Sequence, residues 1–243
     1  MDKQKQVWDA IWSRDVSYEW DSLSGLIFNV IGKEAKDING LNILEAGSGT
    51  GRISMRLAQR GANVTLVDYS LKALENSEKA FKERGVEADF LHSDIRMLNI
   101  LSNSFDITWN AGVLEHFDEE EQVAIVQEMA RITKPGGKVV ILTPSADCLP
   151  YRVGKSYAEE YGTWPYGKEE PVTTLENVIR ESGIIFKEEY NVGFLNSLDF
   201  LDFIPDTGAV KEFMISWYNK LSAEEKKRFP GYLLVSIGEL SQD

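Results

Sequence analysis

Two kinds of apolar spacing divide the chain. Over residues 7–35, Val7, Trp8, Ile11, Trp12, Leu23, Leu26, Ile27, Val30 and Ile31 recur three and four positions apart, which gathers apolar side chains on one face of a helix. One or two amphipathic helices are predicted there, forming an N-terminal helical cap over 1–39 ahead of a main domain over 40–243. From Leu41 onward short apolar runs alternate with helical patterns. A buried strand is predicted at 42–46, a helix at 52–60 ended by Gly61, and a second strand at 63–67. Ser70 can cap a helix whose Leu71, Leu74 and Phe81 share a face and whose end is marked by Gly85. Strands three and four follow at 86–92 and 105–110. Asp118 offers a capping acceptor, and Glu119, Glu120 and Glu121 a favourable charge, at the start of a helix running to Thr133. Pro135, Gly136 and Gly137 then turn the chain into strand five, 138–143.

Strands and helices that alternate with short connections imply parallel strands joined by right-handed crossovers. The expected fold is therefore α/β, a doubly wound Rossmann-like sheet whose ligands bind at the carboxyl ends of the strands. The regularity breaks after Thr143. Residues 144–171 hold Pro144, Pro150, Pro165 and Pro171 among five aromatic residues, too aromatic for a disordered linker and too irregular for one long helix. They are read as an ordered lid inserted over the strand ends. A helix at 174–182, a strand at 184–192, a helix at 210–221 and a strand at 232–237 complete the pattern and bring the strand count to seven.

Composition narrows the partners. With 26 basic and 39 acidic residues the net charge is −13, which repels a phosphate backbone unless basic residues cluster. The largest basic group, Lys226, Lys227 and Arg228, directly follows Glu224 and Glu225 and reads as a solvated helix face. Nucleic acid is not an expected partner. The lone Cys148 cannot form an internal disulfide, and His92 and His116 give no metal-ligand spacing, so a reducing cytoplasm and no metal are expected. No leader-like or membrane-spanning apolar stretch occurs, so a soluble protein without a membrane partner is expected. Oligomeric state is not legible.

The chemistry concentrates at the predicted strand ends. Ile43-Leu44-Glu45-Ala46-Gly47-Ser48-Gly49-Thr50-Gly51 runs from a strand through a glycine loop into a helix. Glycine there permits a left-handed backbone or close approach of a ligand. The spacing differs from the Gly-x-Gly-x-x-Gly of dinucleotide sites, and Glu45 would repel a pyrophosphate while suiting a cation. Asp68, next to Tyr69, ends the second strand, where doubly wound nucleotide sites place an acid on ribose hydroxyls. Asp94 and Ile95 follow the third strand and offer an acceptor and an apolar wall to an adenine ring.

These segments, with Asn110-Ala111-Gly112-Val113-Leu114-Glu115-His116 and Lys134-Pro135-Gly136-Gly137, occur in the order of the motifs of class I S-adenosylmethionine (SAM)-dependent methyltransferases, and the chain resembles the small-molecule group of that family over about residues 40–145. The resemblance implies SAM as cofactor, with S-adenosylhomocysteine (SAH) as its product. It implies that Gly47, Ser48, Gly49 and Gly51 lie against the methionine part, that Glu45 shapes that pocket, and that Asp68 and Tyr69 lie at the ribose. Asp94 and Ile95 would bind adenine, and Asn110 would lie beside the sulfonium. It further implies a seven-stranded sheet with an antiparallel last strand, and a small-molecule acceptor. Two rivals are a non-catalytic SAM-binding module and a nicotinamide-dependent oxidoreductase; Glu45 and the glycine spacing oppose the latter.

For the acceptor, His116 is the candidate general base, having a side chain that titrates near neutrality; the alternative is a local structural hydrogen bond. Trp8, Trp12, Tyr18 and Trp20 are candidates to cover the site, against simple packing. Tyr157, Tyr161 and Trp164 of the insertion are candidate acceptor contacts, with Trp12 and Tyr18. Glu159, Glu160, Glu169 and Glu170 are read as solvated, one of them being available to a cationic acceptor.

Overall fold

A computed structural model of the chain describes residues 3–14 and 17–242. Residues 1, 2, 15 and 16 of the expected cap, and residue 243, lie outside the described residues. The two apolar stripes of the N-terminal region become α1 (Lys3–Trp12) and α2 (Ser22–Ala35), the second capped by Asp21, whose carboxylate accepts the Ser24 N–H. The short apolar runs become β1 (Asn42–Ala46), β2 (Asn63–Asp68), β3 (Asp89–His92), β4 (Phe105–Ala111), β5 (Thr133–Pro144), β6 (Ile185–Val192) and β7 (Leu233–Glu239). They form one sheet in the order β3-β2-β1-β4-β5-β7-β6. The first five pair in parallel, whereas β7 runs antiparallel to both β5 and β6, as the sequence implied for the last strand.

Alternation along the central strands serves both faces. Ile43, Ile107 and Trp109 pack with Ile27, Ile31, Leu57 and Phe81 of α2, α3 (Arg52–Ala58) and α4 (Leu71–Glu83). Leu44, Val139 and Ile141 point the other way, toward Ile125, Met129 and Ile132 of α5 (Glu119–Ile132). The caps expected at Ser70 and Asp118 form, each side chain accepting a backbone N–H three residues on. Burial on both faces holds the sheet rigid, so the loops leaving β1 to β4 sit on a fixed frame.

The structure departs from the expected elements in three places. The insertion contains one regular helix, α6 (Leu149–Glu160). Its Pro150 sits in the first turn, where a missing N–H disrupts nothing, and the proline-free stretch beyond it buries Tyr151, Gly154, Lys155 and Ala158 at helical spacing. β5 begins at Thr133, before the Pro-Gly-Gly turn, because Thr133 already pairs with Phe105 across an irregular register. After α7 (Glu176–Glu181) and β6, helical turns at α8 (Phe194–Ser197) and Leu198–Phe203 precede α9 (Gly208–Lys220) and the short capped α10 (Ala223–Lys226). Phe194, Leu198 and Leu201 gather Met214, Trp217 and Phe229 into a small separate core. Among the described residues no helix is long and apolar enough to cross a membrane.

Candidate active site

A cavity of about 530 Å3 opens at the carboxyl ends of β1 to β4. That volume lies within the range of small-molecule sites. Its floor is the loop after β1. Gly47 has φ +76°, and a Cβ there would collide with Val113; a Cβ on Gly49 would collide with the Trp12 ring of α1. Positions 47 and 49 of the loop therefore admit only glycine. Gly51 does not line the cavity; it faces Leu66 and Phe81 of the core and is a packing glycine.

Two buried acids anchor this floor. Glu45 accepts the Ser54 hydroxyl at 2.6 Å, and burial pushes its carboxyl up to about 8, helped by the nearby charge of Asp68. Asp68 accepts the Gly49 N–H on Oδ2 and the Ser70 N–H on Oδ1, each at 2.8 Å. Burial raises its carboxyl, with those N–H groups pulling the other way. Asp68 thus fixes the glycine loop as well as facing the cavity, and each oxygen keeps a lone pair beyond its backbone bond. Ser48, Tyr69 and Ile95 also line the space.

Two expectations change at this end. Asp94 lines the cavity, but Arg96 binds both its oxygens at 2.7–3.2 Å and holds its carboxyl below the usual range. Arg96 also pairs with Glu121 at 2.7 Å, so Asp94 enters a charge network rather than presenting a free acceptor. Asn110 lies outside the lining: strand alternation turns its side chain toward α5, where its amide donates to Met129 Sδ at 3.4 Å. Its neighbours Ala111, Gly112 and Val113 form the wall instead.

The opposite end is built by α1, the turn after β4 and the insertion. Trp8 stacks on Trp12 at 5.9 Å and stands edge-on to His116 at 5.4 Å. His116 Nδ1 lies 2.6 Å from the Lys168 carbonyl and 3.2 Å from the Gln4 amide nitrogen; the shorter contact is to a group that can only accept, which assigns the ring proton to Nδ1. Nε2 then keeps its lone pair and lies 3.8 Å from Glu115 Oε1, too far for a hydrogen bond. Burial lowers the imidazole's affinity for a second proton, keeping it neutral. Glu115 and Glu169, 2% and 7% exposed, share this end. Burial and mutual repulsion raise the Glu115 carboxyl well above its ordinary value, and burial raises that of Glu169, which accepts a short hydrogen bond from the Tyr151 hydroxyl.

Glu169 is therefore not the solvated residue the sequence suggested. Nor do the aromatic residues of the insertion line up as expected. Tyr157 and Tyr161 stack on each other at 4.3 Å off the inward face of α6, and Tyr161 is 61% exposed. Trp164 packs beneath the cavity between Tyr151, Phe203 and Tyr166. Tyr18 lies against the core with Arg84 over its ring. None of these four lines the cavity, nor does Trp20; Trp8, Trp12, Tyr166 and Tyr232 do. Although sequence spacing offered no ligand cluster, the fold brings one atom each of Glu115, His116 and Glu169 within 4.8 Å of one another.

A family model described as a methyltransferase domain matches residues 43–137. Ubiquinone biosynthesis O-methyltransferase of Rickettsia canadensis is 30% identical over 169 residues, covering 67% of this chain and 70% of that protein. Malonyl-[acyl-carrier protein] O-methyltransferase of Buchnera aphidicola is 28% identical over 155 residues, 63% of this chain and 60% of that relative's length. Among solved structures, magnesium protoporphyrin IX methyltransferase from Synechocystis PCC 6803 with bound SAH aligns over 97% of this chain and 93% of its own, with a TM-score of 0.61 and 16% identity.

Proposed function

The chain belongs to the class I SAM-dependent methyltransferases, and from that premise we propose that it moves a methyl group from SAM to a small-molecule acceptor inside the cavity above β1 to β4. The observation that carries this reading is the cavity floor: a glycine loop that admits no side chain at positions 47 and 49, flanked by the buried carboxyls of Glu45 and Asp68. Such a floor fits a cationic cofactor lying against bare backbone, and it opposes a pyrophosphate. Gly47, Ser48 and Gly49 would hold the methionine part, Glu45 its positive charge, Asp68 and Tyr69 the ribose, and Ile95 one side of the adenine. SAM supplies the electrophilic methyl, so the protein's own tasks are to align, to exclude water and to manage the acceptor's proton.

Those tasks fall to the far end. Trp12 lies against the Gly49 backbone and Trp8 stacks on it, so the two rings cover that part of the loop. Tyr166, Tyr232, Glu169 and His116 surround the space left for the acceptor. The neutral Nε2 of His116 keeps a lone pair there, and it can take an acceptor proton or bind an electron-poor partner. An oxygen acceptor agrees with the relatives named as O-methyltransferases.

The test is turnover. Incubated with SAM and a panel of phenols, carboxylic acids and amines, the protein is expected to generate SAH together with one acceptor that has gained a methyl group. Tight SAH binding with no SAH formed from any acceptor class would contradict the proposal.

A further inference from the structure

We propose that Glu115, His116 and Glu169 bind one divalent metal ion at the acceptor end of the cavity. The inference rests on the proposed function only in placing the acceptor there; the metal site itself stands on this chain's side chains. The three donor atoms all lie within 4.8 Å of one another, slightly wider than the roughly 4.6 Å that two ligands about 2.3 Å from one ion can span, so a small side-chain adjustment on binding closes the site. They come from the turn after β4 and from the insertion, two segments joined locally by the Glu170 N–H donating to the Glu115 carbonyl at 2.8 Å.

Each donor is prepared in a way that an acidic surface patch is not. Glu115 Oε2 is buried, faces the cavity, and has no hydrogen-bond partner among the described residues. An unpartnered carboxylate oxygen is an expensive thing to bury without a cation beside it. The His116 side chain is only 4% exposed and donates from Nδ1 to the Lys168 carbonyl, leaving Nε2 free. Metal-binding histidines are oriented by this same outer hydrogen bond. Glu169 is fixed through Oε1 by the Tyr151 hydroxyl, which leaves Oε2 available.

Two carboxylates and one imidazole suit Mn2+, Fe2+ or Zn2+ better than Ca2+, which favours a fuller set of oxygens. Three protein ligands leave coordination positions open, as in metal sites that bind substrate. The class of acceptor implied is an oxygen donor, a hydroxyl or carboxylate, whose oxygen would occupy one of them. His116 is then a ligand, and the ion lowers the pKa of a bound hydroxyl, whose proton passes to solvent water.

The probe is Mn2+ alone, titrated into the full chain and followed by the loss of the free-ion paramagnetic resonance signal. One site per chain is expected, with affinity about tenfold or more weaker in Glu115→Gln and Glu169→Gln, while SAH affinity stays unchanged in both variants. Equal Mn2+ binding by wild type and variants would assign the ion to surface acids and overturn the site, as would no binding at all. Should either variant fail to fold, spin-echo modulation of the wild-type complex decides: nitrogen coupling from a coordinated imidazole is expected, and its absence refutes the proposal. SAH binding is measured separately, so loss of the cofactor site and loss of the metal site give different results.

Discussion

Glu45 carries a buried carboxyl that burial pushes up to about 8 from an ordinary 4.5. Near neutrality the folded chain therefore holds a proton here that the unfolded chain has released. This contribution to stability is present below about 4.5 and is lost as pH rises toward 8. A cation placed beside Glu45 favours the charged form and drives that proton off. Titration with SAM near pH 7, in two buffers of different ionisation enthalpy, should thus report proton release in wild type and less of it in Glu45→Gln. Identical apparent enthalpies in both buffers would remove Glu45 from the cofactor's surroundings. Glu45, Gly47 and Asp68 were legible because a strand running into a glycine loop, and an acid at the next strand's end, are local patterns. Sequence spacing does not show that the Asn110 amide turns to Met129, or that Asp94, at the cavity wall where it was expected, is shared with Arg96, because side-chain direction depends on strand alternation and on competing partners. Glu169, read from the sequence as solvated, is buried because the insertion folds back onto the turn following β4, which no local pattern shows.

At the scale of elements, α6 shows what periodicity alone conceals. Four prolines obscure a helix whose interior is free of them, and the inward positions are Tyr151, Gly154, Lys155 and Ala158. Tyr157 and Tyr161 fall off that face, which is why the chosen aromatic contacts turned outward and Tyr151 turned in. Gly154 sets how closely α6 approaches the helical turn Leu198–Phe203, since a Cβ there would strike the Phe200 backbone. Alanine normally favours a helix over glycine by up to about 1 kcal/mol. Here Gly154→Ala is expected instead to lower stability by about 1–3 kcal/mol through overpacking, read as a lower urea midpoint. A higher midpoint would mean that the contact is loose and that α6 is not pinned at this point. The parallel core needed no such detail, because apolar runs of strand length separated by capped helices specify it strongly.

For the molecule as a whole, the parallel core and the position of the cavity at the strand ends agree with what alternating elements imply, and the antiparallel β7 with what the family resemblance implies. The cavity gathers Glu45, Asp68, Asp94, Glu115, Glu121 and Glu169, while its lining arginines are engaged, Arg52 by Asp21 and Arg96 by Asp94 and Glu121. A space lined by these acids, whose lining arginines are already paired, favours a cationic ligand, whose approach drives protons from the raised carboxyls. What the sequence could not reveal is the acceptor end, which is assembled from α1, the turn after β4 and the insertion, whose lining residues Trp12, His116 and Tyr166 are far apart in the chain. The most direct measurement is calorimetric titration of the protein with SAM, SAH and NAD. Micromolar binding of both adenosyl compounds at one site per chain, with no heat from NAD, is the result expected of a cation-selecting methyl-transfer site; binding of NAD without SAM or SAH would contradict it.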